Sequence, residues 1–454
     1  MTTRTTLLRR AAATVTAAAV ALTGAAVLTA TPAQAALKKI ETPFVYQGSA
    51  FGTRVTVGNA GEGGLSSGRT AWSILGCTSL APVRNDLGSF GGKVNANSMV
   101  QVGAIDSFTS SYRRPKQKLF GSRSVNKVAN IVLGPQDGPR LTIRALTTRA
   151  NAFNKNGRFG ANGDFDLAGV KAINIAPDGS ETPGPLGDLL AAIDEADNQL
   201  VEAIIAGAGT NGIDIPGLGT VYPAGKVRTH SGPRAARSNA FGIRVELENG
   251  STVTIGRARA RIDSAPVAGV FGGHAYGLEA VVADGLLGLG RTPFQHLPCI
   301  GTGGEWRTNS LAEVPQNDNL NVGALKAETF GKGFRDGRAV ARTRASVSNV
   351  RLGGGALEIR GVVGQANVVQ NAKGRVIRRN VNGTRIAAII ANGETHEVPA
   401  PGESLKIPGV AVIKARVREN LGKRGLRVHA VRVEMLDGTG LVLNIGTARA
   451  ILKR

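Results

Sequence analysis

Apolar and polar residues alternate along most of this chain. The alternation is clear at Leu141/Ile143, Val245/Leu247, Val253/Ile255, Val410/Val412 and Val431/Val433. A period of two puts successive side chains on opposite faces of a strand, so it predicts half-buried β-strands. Asp137-Gly138, Asn156-Gly157, Asn249-Gly250, Asn382-Gly383, Asn392-Gly393 and Asp437-Gly438 punctuate the strands. Such pairs suit the tight turns of antiparallel hairpins. Parallel sheets would need long crossover helices between strands, and the pattern offers none.

The pattern also repeats. Residues 241–262, FGIRVELENGSTVTIGRARARI, match 429–452, HAVRVEMLDGTGLVLNIGTARAIL; YQGSAFGTRV at 46–55 echoes FGGHAYGLEA at 271–280. Leu141, Ile143, Arg144, Ala150 and Asn151 reappear as Leu357, Ile359, Arg360, Ala366 and Asn367. An Asn-Ser pair (Asn97-Ser98, Asn309-Ser310) and a Val-Gly-Ala run follow the cysteine in each copy. The expected fold is all-β: two tandem duplicated antiparallel domains, 36–264 and 265–454, each a sandwich or an open barrel. Shared residues in such a fold mostly record architecture, so they are poor guides to chemistry.

Two segments break the strand pattern. Residues 185–206 carry apolar positions at helical spacing, with Pro183 and Pro185 before them and Gly207 after. This predicts one α-helix inserted in the first copy, with an acidic outer face. Residues 1–35 begin with Arg4, Arg9 and Arg10, continue as an uncharged Ala/Val/Leu/Thr run, and end on Ala33-Gln34-Ala35. That is the layout of an export signal, cleaved between Ala35 and Ala36. No other stretch is long and apolar enough to span a bilayer as a helix, so the mature chain is expected to be secreted, extracellular or non-covalently wall-associated.

Charge sharpens this picture. With 55 Lys and Arg against 32 Asp and Glu, the net charge is +23, and both copies are basic. Outside a cell, the polyanions within reach are wall polymers and phospholipid head groups, not nucleic acid, and no nucleic-acid-binding motif occurs. The two cysteines, Cys77 and Cys299, follow the first hairpin of their own copies. In an oxidising compartment they suggest one bridge, the alternative being two buried or free thiols.

Candidate chemistry is sparse. The histidines (His230, His274, His296, His396, His429) make no metal-ligand spacing beyond His296 three residues before Cys299. His274 stands where the other copy has Ser49, and His429 where it has Phe241. Asp164 and Asp166 share one strand face, an arrangement that suits calcium or a glycosidase-like pair of carboxylates. The pair defines a second reading, an extracellular polymer-acting hydrolase or calcium-binding protein. A third is a lipid or small-molecule carrier built on a β-barrel. Trp72 and Trp306 do not correspond between copies. No cofactor, metal or catalytic set is implied.

The Ser/His-Ala-Phe/Tyr-Gly strands (49–52, 274–277), Leu-Gly-Cys (75–77) or Leu-Pro-Cys (297–299), Asn-Ser, Val-Gly-Ala and the paired strands ending in Ala-Asn resemble the choice-of-anchor P proteins of high-GC Gram-positive bacteria. The resemblance covers most of the mature chain in both copies. It implies an exported or surface protein, largely β, and brings no catalytic residues with it. No sorting motif follows the last strand, so the expectation is release or non-covalent wall association. The leading functional expectation is a non-enzymatic structural or adhesive protein that contacts anionic wall polymers through basic strand faces.

Overall fold

The computed structural model describes residues 38–453, apart from 58–64, 67–68, 91–93, 97–99, 135–137, 176–179, 184–211, 216–218, 224–226, 249, 282–289, 313, 318–319, 437 and 439. The export signal with its Ala35/Ala36 site, the Asn97-Ser98 pair and the helix expected over 185–206 lie outside the described residues. Among the described residues the only helical pieces are three-residue 3-10 turns, so the structure lends the inserted helix no support.

All strand pairing among the described residues is antiparallel, as the Gly-punctuated alternation predicts. The principal strands of the first copy are β1 (Ile40–Val57), β2 (Ser73–Ala81), β3 (Val83–Phe90), β4 (Ile105–Arg114), β5 (Leu119–Leu133), β6 (Gly138–Lys155), β7 (Arg158–Ile175), β8 (Ala235–Leu247) and β9 (Ser251–Ser264). Those of the second are β10 (Val270–Val281), β11 (Thr292–His296), β12 (Trp306–Leu311), β13 (Leu325–Gly333), β14 (Ala339–Leu352), β15 (Leu357–Gln370), β16 (Ala411–Asn420), β17 (Gly425–Met435) and β18 (Val442–Lys453).

Each copy folds into two sheets with one topology. The order β2-β1-β9-β8 in the first is matched by β11-β10-β18-β17 in the second. The order β3-β4-β5-β6 is matched by β12-β13-β14-β15. Register agrees residue by residue: Ala50 lies opposite Ala258, and Ala275 opposite Ala448. The duplication therefore extends from sequence to ladder.

Irregularities are duplicated too. The β5–β6 ladder breaks at Ala145 and the β14–β15 ladder at Gly361, and both residues adopt left-handed backbone, φ +43° and +57°. The Val-Gly-Ala runs gain a structural reason. A Cβ on Gly103 would sit 2.1 Å from Asn130 Oδ1, and one on Gly323 the same distance from Asn349 Oδ1. Glycine leaves room for these amides where the entering chain hydrogen-bonds across this break. Two of the predicted two-residue turns, Asn156-Gly157 and Asn392-Gly393, have positive φ at both residues, the signature of the primed hairpin turn.

The two sheets of each copy pack face to face, and the space between them is filled. At one end of the first copy Ile105, Val128, Ile131, Ile143 and Leu146 meet Ile243, Val245, Val253 and Ile255. Burying each large aliphatic side chain contributes about 2 kcal/mol. At the other end the contact is Ala150 and Ala152 against Ala236, Ala240, Ala258 and Ala260. Small side chains let backbones approach there: Ser122 Oγ donates 3.0 Å to Gln47 O of the facing sheet. The second copy repeats this division. The fold is thus a pair of sandwiches, and the barrel alternative does not hold. The β10–β18 sheet, for example, keeps two separate edge strands, Thr292–His296 and Ser404–Ile407. The last strand of the first pair of sheets ends at Ser264 and the first strand of the second pair begins at Val270, and Lys39–Arg454 forms one compact unit.

Candidate functional site

The seam between the sandwiches is built from matching positions. Ser49 pairs with Ile74 on β2, and His274 with His296 on β11, so Cys77 and Cys299 occupy the same place three residues further on. They are bonded to each other, with Cα atoms 5.3 Å apart. Around the bridge pack Val45 and Val270, again equivalent residues. A contact in which each partner offers the same patch is the isologous geometry of a two-fold dimer, here within one chain. Two polar contacts reinforce it. Lys453 Nζ donates 2.8 Å to Cys77 O, and Gln47 Nε2 lies 3.2 Å from His296 Nε2. The second arrangement needs a neutral imidazole as acceptor. Burial, with Arg261 nearby, pulls His296 down to about 4, which keeps it neutral.

The same correspondence exposes a motif that the sequence reading missed. Gly-Arg-Thr at 68–70 and at 290–292 precedes each cysteine at identical spacing. Thr70 is fixed beside β1: Gly52 N donates to Thr70 O and Thr53 N to Thr70 Oγ1. This sets Arg69 over the Phe51 and Trp72 rings, at 5.3 and 4.7 Å from their centroids. Arg291 sits likewise over Tyr276, the counterpart of Phe51, at 5.1 Å.

The copies then diverge at one position. In the second, Glu279 receives Arg291 Nε at 2.9 Å and the Tyr276 hydroxyl at 2.6 Å. Burial works to raise the Glu279 carboxyl, but Arg291, Tyr276 and Asn444 together hold it below the usual carboxylate range. In the first copy the ladder puts Arg54 where Glu279 stands. Arg69 therefore faces cations: Arg54, Arg259 on β9, and Arg291 across the seam. Burial and these three like charges pull Arg69 down to about 10. Arg54 and Arg259 are lowered by burial as well, Arg259 also by Arg54. Protein crowds one side of Arg69 and Arg259, while the other stays open to solvent. No salt bridge to any of the three occurs among the described residues, and Arg259 Nε donates only to Asn239 Oδ1, at 2.9 Å.

β9 explains why arginines gather on this face. In GRARARI, Ala258, Ala260 and Ile262 fill the sandwich, so Arg257, Arg259 and Arg261 alternate outward. Arg257 stacks on Phe241 at 4.6 Å, while Arg261 forms a two-point ion pair with buried Asp263. The basic band continues into the second copy through Arg449, the counterpart of Arg259, and Arg427. There His429 Nδ1 lies 2.9 Å from Thr447 Oγ1, where the first copy has the Phe241–Arg257 stack. His274 is buried between Tyr276 and Phe294, and burial followed by Arg291, Arg449 and Arg427 drives it well below its ordinary value.

The other sequence candidates lie elsewhere. Asp164 and Asp166 do share a face of β7, but Arg149 of β6 bridges them, in contact with Asp164 and 3.9 Å from Asp166. They form an exposed ion-pair network, not two free carboxylates. No group of three or more His, Cys, Asp or Glu suited to a metal ion occurs among the described residues. Trp306 lies on β12, packed at a tilt against Phe330 and covered by Arg344 at 5.0 Å.

No family model matches the chain, and no curated protein does. Among solved structures it is similar to a TodX deltaS2S3 mutant monoaromatic hydrocarbon channel. That match is 10% identical, covers 90% of this chain and 88% of that one, and has a TM-score of 0.12. A likeness at that score fixes neither fold nor function. Among the described residues no helix is long and apolar enough to cross a membrane.

Proposed function

We propose that this is a non-enzymatic, exported or envelope-associated protein of structural or adhesive type that holds anionic wall polymers on its basic faces. One observation carries the reading: Arg54 of β1, Arg69 packed over Phe51 of β1 and Arg259 of the adjacent β9 act on one another beside the seam, and no carboxylate among the described residues pairs with them. Clustered like charges destabilise a fold unless a counter-ion compensates. A chain with a net charge of +23 could place acids there, and its own second copy does, with Glu279. Keeping the cluster open suits a protein whose counter-ion arrives from outside. The export signal read at residues 1–35 and the resemblance to surface proteins agree with this setting.

The test is co-sedimentation of mature protein with isolated Gram-positive cell walls across a salt series. Retention at low salt and release as salt screens the charges is the expected result. Absence of retention at low salt, or retention indifferent to salt, contradicts the reading.

A further inference from the structure

We propose that Arg54, Arg69 and Arg259 form a discrete binding site for a phosphate group, the point at which a phosphate-bearing polymer is gripped. The assignment rests on the polyanion reading above and makes it local.

Three features lead to it. First, the second copy shows what a carboxylate does at this place. A single side-chain carboxylate, Glu279, pairs with a single guanidinium, Arg291, at 2.9 Å. With Arg54 at the equivalent position, the first copy offers three guanidiniums and no acid among the described residues. An anion that satisfies three forks needs more than two oxygens and more than one direction of approach. Phosphate supplies both, and guanidinium forks match its oxygens in two-point contacts.

Second, Arg69 is held in place. The Phe51 and Trp72 rings lie against its guanidinium at 5.3 and 4.7 Å. A guanidinium packed on rings loses its faces and keeps its in-plane N–H groups, which are the ones that bond an oxyanion. Thr70, bonded to Thr53 on β1, fixes the backbone between Arg54 and Arg69.

Third, Trp72 Nε1, on the ring that carries Arg69, is a buried donor without a hydrogen-bond partner among the described residues. An orphaned buried donor calls for an explanation, and an anion held on Arg69 would bring an acceptor towards it.

The experiment is calorimetric titration at constant ionic strength, with chloride as the balancing ion, using inorganic phosphate and, separately, a poly(glycerol phosphate) chain. Arg54→Glu rebuilds the second copy's ion pair and is expected to fold with unchanged or raised melting temperature; Arg69→Gln provides a second variant should it not fold. Arg378→Glu, an exposed arginine of the other sandwich, is the charge-matched control. A tenfold or greater loss of affinity in Arg54→Glu or Arg69→Gln, with Arg378→Glu close to wild type, supports the site. The probe that shows the loss identifies the source, free phosphate or polymer. Equal losses in Arg54→Glu and Arg378→Glu would mean diffuse charge only and would overturn the site. Wall retention that persists while neither phosphate probe binds would overturn the site and leave the broader polyanion reading standing. Loss of both wall retention and phosphate binding in the wild type would remove the two together.

Discussion

Cys77 and Cys299 hold the same position in two copies of one fold and are bonded to each other across the seam. A duplicated sandwich has thereby become an internal two-fold dimer. The bridge closes a span of 222 residues, so it removes much freedom from the unfolded chain.

Cys299→Ser should therefore lower unfolding stability by about 5 kcal/mol, from the loop entropy that the bridge removes. Denaturant unfolding under non-reducing conditions measures this. Intact-mass comparison with and without reductant and alkylation should show two masked thiols in the wild type. An unchanged midpoint in Cys299→Ser would mean that the sandwiches hold together without the bridge.

Ala145 and Gly361 share one left-handed position, and only the second copy has the residue that adopts it without strain. Ala145→Gly should stabilise the protein by about 1 kcal/mol, the relief of a left-handed alanine. Gly361→Ala should destabilise it, because its Cβ would also lie 2.7 Å from Ala387 Cβ. Midpoints of thermal or denaturant unfolding decide both.

The closest face-to-face approach makes a sharper prediction. A Cβ on Gly364 would fall 1.8 Å from Gly446 O of the facing sheet, a backbone atom that cannot swing aside. Gly364→Ala should cost about 3 kcal/mol, the upper end for overpacking. Expression with wild-type stability would show that the sheets separate more easily than this geometry allows.

Acid should loosen the seam. His296 is buried neutral and titrates near 4 when folded, whereas an unfolded histidine titrates near 6.5. The unfolded state then binds the extra proton first. Stability is full above about pH 6.5 and falls as pH drops towards 4. In His296→Gln this stretch of the stability–pH curve should flatten. An unaltered slope would place the acid sensitivity elsewhere, His274 being the next candidate.

The sheets were legible because the period-two pattern and the Asn-Gly turns act locally, and because each strand appears twice. Glycines such as Gly103 and Gly323 could be seen to repeat, but their reason lies in asparagine side chains far along the chain. The cation cluster was not legible for a related cause. Arg54 reads as an ordinary strand residue until the ladder places it where the other copy has Glu279. Matching Gly-Arg-Thr at 68–70 and 290–292, at the same spacing before each cysteine, was the available signal. Asp164 and Asp166 were correctly placed on one face, but sequence could not show Arg149 reaching across from the neighbouring strand.

The most direct test of the central claim is the slope of log affinity against log salt for wall polymer binding, compared between wild type and Arg69→Gln. Capture by the arginine cluster predicts weaker binding and a slope shallower by about one, the release of roughly one counter-ion fewer. Identical slopes and affinities for the two proteins would contradict it.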